Sequence, residues 1–399
     1  MQQAYIIDAV RTPVGKYGGS LSSVRPDDLA SLAISSIVER NPQLDYRFTE
    51  EVIFGAANQA GEDNRNVARM SLLMAGLPTS VPGITVNRLC ASGLHAISEA
   101  AKGIQMGYGD IYFAGGVESM SRAPYVVSKS ETAFSRKMEM YDTSIGWRFT
   151  NKKLADIYFP FAMGETAENV AEKYKISREE QDLFALRSQE KYQNAHENKR
   201  FSDEIISVHV PRRKQEDLVV LKDEHPRLSS LEKLATLKPA FRKGGTVTAG
   251  NSSGVNDGAS CLLMVSEKMI KKFDLTPLAR VVSSASAGVD PSIMGIGPVP
   301  ATKKALARAG IEAKHLNLIE LNEAFASQSI ACIRDLHLNE EIINVNGGSI
   351  AIGHPLGCSG ARITTTLVHE FKKRENAKYA LATMCVGVGQ GMALVLEKA

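Results

Sequence analysis

The stretch Ile84-Thr85-Val86-Asn87-Arg88-Leu89-Cys90-Ala91-Ser92-Gly93 decides how the rest of the sequence is interpreted. Its first three residues are apolar or β-branched, which predicts the end of a short buried strand. From Ser92 onward apolar residues recur at three- and four-residue steps, as on one face of a helix. Cys90 therefore lies at a helix N-terminus, where free N–H groups and the helix dipole can lower the pKa of a thiol. The alternative is a small cysteine that only packs beneath the helix.

Length and composition narrow the class of protein. A chain of 399 residues exceeds the usual size of one domain, so two domains or two fused halves are expected. The apolar fraction of 44% and the charged fraction of 23% are ordinary for a soluble globular protein. A net charge of +3, with dispersed basic residues, does not indicate a nucleic-acid binder. We expect no membrane span and no signal peptide, because no long apolar run and no leader pattern is found.

The cysteines argue for a reducing compartment. Their number, five, is odd, and none of them forms a C-x-x-C pair. This pattern is against a disulfide framework or a zinc site, so we expect no metal and a cytoplasmic protein. Cys261 and Cys332 lie in apolar stretches and are interpreted as core residues. Cys358 lies in a histidine-containing loop, and we assign it no chemical role.

Strands and helices alternate along the first part of the chain. The predicted strands cover residues 4–9, 51–55 and 110–116, and helices are predicted to begin near Pro26 and Asn66. Such alternation predicts an α/β fold with parallel strand pairing and helices on both faces of a sheet.

The alternation is interrupted between residues 119 and 245. The capping-box pattern Ser177-Arg178-Glu179-Glu180 predicts the start of a long charged helix that continues to about Lys199. A strand is predicted over residues 205–210. A strongly charged helix face is usually solvated, so we interpret the region 119–245 as an insertion that lies over the core.

The second half of the chain repeats the order of the first. Residues 84–116 and residues 342–391 both give strand, loop, helix, strand and glycines, which predicts an internal duplication. One half would comprise residues 1–118 and 246–272, and the other residues 273–399. Two packed halves would bring equivalent loops to one face, beyond the strand ends where α/β sheets bind ligands.

Two later motifs change the interpretation of Cys90. The loop Gly353-His354-Pro355-Leu356-Gly357 is equivalent to the Cys90 loop, and a Cys–His arrangement activates a thiolate nucleophile. The run Cys385-Val386-Gly387-Val388-Gly389 is not a dinucleotide loop, because a strand and not a helix is predicted after it. We interpret its glycines as a turn whose N–H groups bind an oxyanion, and Cys385 as an acid/base partner.

With these motifs the sequence resembles the thiolases, which are acyl-CoA C-acyltransferases, over essentially its whole length. The family fold is two similar βαβαβαββ halves that form a layered α-β-α-β-α core, with an inserted loop domain. The resemblance rests on the Asn87–Gly93 stretch, the segment Asn322-Glu323-Ala324-Phe325-Ala326, the His354 loop and the Cys385 run. Asn322 follows a predicted strand, and an asparagine there is also a common helix N-cap.

The resemblance implies CoA-dependent cleavage of 3-oxoacyl-CoA to acetyl-CoA and a shortened acyl-CoA by ping-pong chemistry, reversible as a Claisen condensation. Cys90 would carry the acyl group after His354 takes its proton, and Cys385 would protonate the leaving enolate. His354 and a water held by Asn322 would stabilise that enolate. The N–H groups of Cys90 and Gly387 would bind the oxyanion of the tetrahedral intermediate.

The resemblance also implies the partners. CoA and acyl-CoA would be substrates, with no permanently bound cofactor, and the chain would form a homodimer or homotetramer active in fatty-acid metabolism or β-oxidation. The positions matching the family's CoA contacts are Arg227, Phe241, Ala249 and Ser253.

The substrate is left open by the sequence. Ala162 stands where biosynthetic acetoacetyl-CoA thiolases commonly have a histidine, whereas segment 142–149 resembles that of 3-oxoadipyl-CoA thiolases. Within it, Trp147 and Arg148 either cap an acyl tail or only pack the loop. Acetyl-CoA C-acetyltransferase activity is one alternative. A ketoacyl-synthase-like condensing enzyme and a non-catalytic acyl-CoA-binding protein are two others, and Cys385 argues against both.

Overall fold

Fourteen strands and twelve α-helices make up the computed structural model, which describes residues 2–399. The strands are β1 (Ala4–Arg11), β2 (Gly15–Lys16), β3 (Thr49–Gly55), β4 (Gly83–Val86), β5 (Ile111–Ser119), β6 (Tyr125–Val127), β7 (Met140–Asp142), β8 (Val208–Val210), β9 (Leu218–Val220), β10 (Asn256–Ser266), β11 (Ala279–Gly288), β12 (Leu316–Leu321), β13 (Tyr379–Val386) and β14 (Gln390–Lys398). The helices are α1 (Pro26–Arg40), α2 (Val67–Met74), α3 (Ser92–Met106), α4 (Lys152–Ile157), α5 (Met163–Tyr174), α6 (Arg178–Glu197), α7 (Leu231–Ala235), α8 (Glu267–Phe273), α9 (Pro298–Ala309), α10 (Ala326–Leu336), α11 (Ser349–Ile352) and α12 (Leu356–Lys372).

One mixed sheet runs through both halves in the order β12-β13-β14-β11-β1-β10-β5-β3-β4, with β2 paired to β10. The halves join where Tyr5 and Ile6 of β1 pair with Arg280 and Ala279 of β11. Pairing is parallel between β3 and β4, β3 and β5, and β12 and β13, as the alternation predicts. The β10 and β14 strands are antiparallel to the strands on either side of them.

The duplication is visible in the sheet but has one difference from the prediction. The strand order in the first half is β4-β3-β5-β10-β1. In the second half β12, β13, β14 and β11 correspond to β3, β5, β10 and β1, and no strand of the described chain corresponds to β4. The helices α3 and α12 are equivalent. The prediction of a strand near residue 342 is wrong. In that segment Ile343 forms one isolated parallel bridge, to Ile319. The reason is that the Asn344 side chain bonds both the N–H and the C=O of Leu321, at 2.9 and 2.8 Å, and takes the place of a strand.

The core has five layers, α-β-α-β-α, which confirms the expected architecture. Along β10 the side chains of Cys261, Leu263 and Val265 pack with α1 and α2, whereas Leu262 and Met264 face α3 and α12. On β13 and β14 the same alternation separates the α3–α12 layer from α9 and α10. Because helices cover both faces of the sheet in each half of the chain, the strands are almost wholly apolar. The exception is β4, which lies at the sheet edge and exposes 44% of Ile84, so its predicted burial is wrong.

Glycines let the two central helices touch by their backbones. A Cβ atom on Gly360 would lie 2.3 Å from the backbone nitrogen of Leu94. A Cβ atom on Gly93 would lie 2.8 Å from the carbonyl oxygen of Gly357. Such contacts are closer than any side chain allows, so only glycine fits. The N-terminal ends of α3 and α12, and the loops that precede them, are therefore held together.

The region between β5 and β10 contributes no strand to the large sheet. It contains two small hairpins, β6–β7 and β8–β9, and the helices α4 to α7. The strand predicted over 205–210 is shorter, because Ile205 and Ile206 instead bond to Arg11 at the edge of the core. The buried Arg11 side chain pairs with Glu204 at 2.6 Å and Asp223 at 2.7 Å, which fixes the region to β1. We therefore propose residues 119–245 as the insertion.

None of the helices within residues 2–399 is sufficiently long and apolar to traverse a lipid bilayer.

Candidate active site

Cys90 lies one residue before Ala91, the N-cap of α3, in a tight loop. The preceding residue, Leu89, has φ +48°, a conformation that a leucine rarely adopts. The loop is held by the Asn87 side chain, which accepts the Leu89 N–H at 2.9 Å, and by Ser92, whose hydroxyl donates to the Leu89 carbonyl at 2.6 Å. Backbone strain held by local bonds is a common feature of functional sites.

The surroundings of Cys90 favour the protonated form of its thiol. Loss of contact with water raises its pKa to about 11, although the N–H groups of Gly387 and of Cys90 itself act to lower it. The expectation of a lowered pKa is therefore wrong for the protein without substrate, because desolvation outweighs the helix N-terminus. A base is needed to remove the proton during the reaction.

Cys385 and Gly387 lie beside Cys90. Cys385 is close to the end of β13, and Val388 and Gly389, with φ of +61° and +76°, make the turn into β14. The predicted turn and closing strand are both confirmed. Burial raises the pKa of the Cys385 thiol well above its ordinary value, and a negative charge on Cys90 raises that pKa further whenever Cys90 is deprotonated. Its S–H group donates to Oε1 of Gln328 at 3.6 Å.

His354 lies between α11 and α12 with its ring buried. Its backbone N–H donates to the Asn256 side chain at 2.9 Å, and its Nδ1 lies 2.6 Å from the Ser359 hydroxyl. That hydroxyl donates its one proton to the Pro355 carbonyl at 2.7 Å, so Nδ1 must carry the ring proton. The Nε2 atom then has a lone pair and, among residues 2–399, no partner. Burial lowers the pKa of His354 to about 3, which keeps the ring neutral.

Asn322 ends a chain of buried polar groups. Its Oδ1 accepts the Ser349 hydroxyl at 2.6 Å, and that hydroxyl accepts a bond from Arg362 at 2.6 Å. Arg362 in turn lies 3.7 Å from Glu320. The Nδ2 group of Asn322 has no partner in the described chain, which fits a donor that holds a water molecule. Asn322 is not a helix N-cap, because α10 begins four residues later with Phe325 as its cap.

Glu118 is a site residue that the sequence interpretation missed. Its buried carboxylate accepts the N–H groups of Ala57, Asn58 and Gly357 at 2.9, 3.0 and 2.7 Å. It thus ties the end of β5 to the loops after β3 and before α12. Burial raises its pKa to about 7, although these bonds oppose the rise. An acid inside an otherwise apolar strand was the available signal. Ser349, Ser359, Arg362 and Gln328 were missed as well, and no local motif marks them.

Two cavities open near these residues. The first, of about 380 Å³, is lined by Cys90, Gly387, Glu118 and the segment that carries Trp147 and Arg148. The second, of about 530 Å³, is lined by all four residues matched to CoA contacts. Those residues are Arg227, Phe241, Ala249 and Ser253. No group of three or more His, Cys, Asp or Glu side chains within residues 2–399 is placed to hold a metal ion.

Comparison with known proteins agrees with this geometry. Residues 4–268 match the family described as thiolase, N-terminal domain, and residues 275–398 match thiolase, C-terminal domain. The chain belongs to the thiolase family. This confirms the resemblance seen in the sequence.

Relatives of this thiolase are similar along their whole length. A 3-oxoadipyl-CoA/3-oxo-5,6-dehydrosuberyl-CoA thiolase of Escherichia coli (strain K12) is 54% identical over 401 residues, which cover 100% of both chains. The crystal structure of the Bacillus anthracis acetyl-CoA acetyltransferase has a TM-score of 0.93 and 43% identity, covering 100% of this chain and 99% of that one. The human mitochondrial 3-ketoacyl-CoA thiolase in complex with CoA has a TM-score of 0.92 and 41% identity, covering 100% and 98%.

As a thiolase, the protein is an acyl-CoA C-acyltransferase that cleaves 3-oxoacyl-CoA with CoA. The expected enzyme class and reaction are thus confirmed. A condensing enzyme of the ketoacyl-synthase type and a non-catalytic binding protein are not supported by these matches.

Proposed function

We propose that this thiolase cleaves a 3-oxoacyl-CoA whose acyl chain ends in a second carboxylate, of the 3-oxoadipyl-CoA type. The observation that carries the proposal is the cavity beside Cys90 and Gly387, of about 380 Å³, which offers space for a short acyl chain next to the nucleophile. The 54% identical relative is named for two such diacid substrates, whereas the acetyl-CoA acetyltransferase is 43% identical. Of the substrates that the sequence leaves open, a diacid is the 3-oxoadipyl-CoA type, and it would take the place of the expected role in fatty-acid β-oxidation.

The first half-reaction begins at Cys90. Nε2 of His354 accepts the thiol proton while the sulfur attacks the 3-oxo carbon. The bond between carbons 2 and 3 then breaks, acetyl-CoA leaves as its enolate, and the proton of Cys385 converts the enolate to acetyl-CoA. For 3-oxoadipyl-CoA, Cys90 is left carrying a succinyl group as a thioester. The raised pKa of Cys385 suits this role, because a thiol that holds its proton is available as an acid.

Stabilisation of negative charge falls to two groups of donors. The N–H groups of Gly387 and Cys90 both act on the Cys90 sulfur, so they lie within reach of an oxyanion formed there. The Nδ2 group of Asn322 and the protonated His354 would serve the enolate. Loss of one such donor typically lowers the rate by about a hundred- to a thousandfold.

The second half-reaction returns the acyl group to CoA. Cys385, left as a thiolate by the first half-reaction, takes the proton of the CoA thiol as the CoA sulfur attacks the thioester on Cys90. Succinyl-CoA leaves, and the Cys90 sulfur regains its proton from His354. The cavity lined by Arg227, Phe241, Ala249 and Ser253 is the proposed CoA site. Arg227 is held towards it by a 2.5 Å bond from its guanidinium to the Ala249 carbonyl.

We also infer a homo-oligomer in the cytoplasm. All five cysteines are free thiols, as a reducing compartment favours. The hairpin between β6 and β7 exposes large apolar residues, with Phe134 fully exposed and Met138 78% exposed, which suits a surface that a second copy covers.

A thiolysis assay tests the proposed substrate. Wild-type enzyme and CoA are given 3-oxoadipyl-CoA, 3-oxohexanoyl-CoA or acetoacetyl-CoA, and loss of each substrate is followed. We expect the highest kcat/KM with 3-oxoadipyl-CoA, and no activity from the Cys90→Ala variant. Activity confined to acetoacetyl-CoA would favour the acetyl-CoA acetyltransferase alternative and reject the diacid.

A further inference from the structure

The cavity beside Cys90 contains an arginine without a partner. Arg148 is its only basic lining residue, and it is half-buried. Among residues 2–399 its guanidinium forms no ion pair and donates no hydrogen bond. A guanidinium has five N–H donors in a planar fork, which matches the two oxygens of a carboxylate. An arginine held in this state inside a substrate cavity is suited to an anionic group of the ligand.

The acidic residue that lines the same cavity as Arg148, Glu118, already accepts hydrogen bonds from the backbone. The charge of Arg148 acts on Glu118, yet the two side chains are too far apart to form an ion pair. Both carboxylate oxygens of Glu118 accept backbone N–H groups, at 2.7 to 3.0 Å. Arg148 therefore has no carboxylate of the protein to neutralise it, and its donors face a cavity that also contains Cys90.

The segment that carries Arg148 is fixed on its N-terminal side. The Thr143 hydroxyl donates to the Pro124 carbonyl at 2.6 Å and accepts the Asn58 side chain at 2.9 Å. The Trp147 indole N–H donates to the Phe161 carbonyl at 3.1 Å. These bonds set the backbone that leads into the arginine. A side chain on a fixed backbone loses less entropy when it binds a ligand than one on a free loop.

We propose that Arg148 binds the distal carboxylate of the acyl chain and thereby selects diacid 3-oxoacyl-CoA substrates. This inference rests on the proposed function, because it names the residue that recognises the second carboxylate. Both acyl groups in the name of the 54% identical relative are diacids and share that carboxylate. The chemical role is binding, since the carboxylate is two methylene groups away from the carbon that Cys90 attacks. Arg148 is thus a specificity residue.

The test uses two substrates that differ only at the chain end. In 3-oxohexanoyl-CoA a methyl group replaces the distal carboxylate of 3-oxoadipyl-CoA. We expect Arg148→Gln to lower kcat/KM for 3-oxoadipyl-CoA by about ten- to a hundredfold, as loss of a charged hydrogen-bonded pair does. The value for 3-oxohexanoyl-CoA should stay within about threefold of wild type, because that chain end makes no charged bond. Arg148→Lys should keep part of the preference through its charge.

A matched control removes a positive charge from the same insertion without touching the cavity. Arg212 lies in the exposed β8–β9 hairpin, so Arg212→Gln should leave kcat/KM for both substrates unchanged. Equal loss on both substrates in Arg148→Gln, or no loss on either, would overturn the role of Arg148 while leaving the proposed function intact. If the wild-type enzyme cleaves 3-oxohexanoyl-CoA but not 3-oxoadipyl-CoA, the diacid proposal fails, and this inference fails with it.

Discussion

The Ser359 hydroxyl oxygen lies 2.6 Å from Nδ1 of His354 and gives its own proton to the carbonyl of Pro355. One residue of α12 thereby decides which nitrogen of His354, the proposed base, has a free lone pair. The arrangement is local, since all three residues lie within one turn of each other at the start of α12. It leaves Nε2 buried and available.

Removal of this hydroxyl should weaken the base. In Ser359→Ala the ring proton is free to move to Nε2, so we expect kcat to fall by about tenfold or more, with KM little changed. Stopped-flow thiolysis gives both values. Thr364→Val is the control, because Thr364 makes the same kind of bond to a helix carbonyl, at 2.8 Å to Gly360, away from the histidine. A Ser359→Ala enzyme with wild-type kcat would contradict the role.

Substitution of Cys385 alone should show that Cys90 and Cys385 have different roles. Cys385→Ala should still be alkylated at Cys90 by iodoacetamide but should lose turnover by about a hundredfold or more, because the enolate loses its acid. Mass spectrometry reports the alkylation and a thiolysis assay the turnover. Cys261→Ala is a control for loss of a buried thiol, since Cys261 packs in β10 away from the site. Unchanged turnover in Cys385→Ala would remove Cys385 from the acid/base step.

The protonation state of Cys90 can be measured directly. A pKa raised to about 11 means that the thiol keeps its proton as the pH rises through neutrality, and that thiolate forms only in alkaline solution. His354, with its pKa lowered to about 3, is already neutral well below pH 7. The ultraviolet difference spectrum between wild type and Cys90→Ser should therefore show no thiolate band at pH 7. A thiolate band at that pH, absent from the variant, would indicate a preformed ion pair with His354.

The contact between the central helices should tolerate no added atom. Gly360→Ala places a methyl group 2.3 Å from the backbone of Leu94, so we expect the free energy of unfolding to fall by about 1–3 kcal/mol and activity to fall with it. Urea unfolding measures the first effect. The control is Gly258→Ala on β10, where the nearest atom would be 3.4 Å away and ordinary contact is possible. Equal stability of the two variants would refute the packing argument.

Local patterns in the sequence predicted much of this molecule. Apolar spacing placed α3, and Pro26 and Ser177 marked the starts of α1 and α6 to within a residue. The alternation of elements predicted an α/β fold, and the repeated order predicted two halves. Patterns that depend on more distant partners were less reliable. The strand near residue 342 is absent because one side chain, Asn344, satisfies the backbone of β12 in its place.

The residues of the candidate site also fall into two groups, those marked by local patterns and those recognised only in the fold. The sequence alone marked Cys90, His354, Cys385, Gly387 and Asn322, because each lies in a short motif beside a strand or helix end. Only the tertiary structure identified Glu118 and Ser359 and left Arg148 without a partner, since those facts depend on which distant groups surround a side chain. The tertiary structure also raises the pKa of the Cys90 thiol by burying it. A helix N-terminus is a local feature visible in sequence, but desolvation is produced by the whole fold and is the stronger effect here.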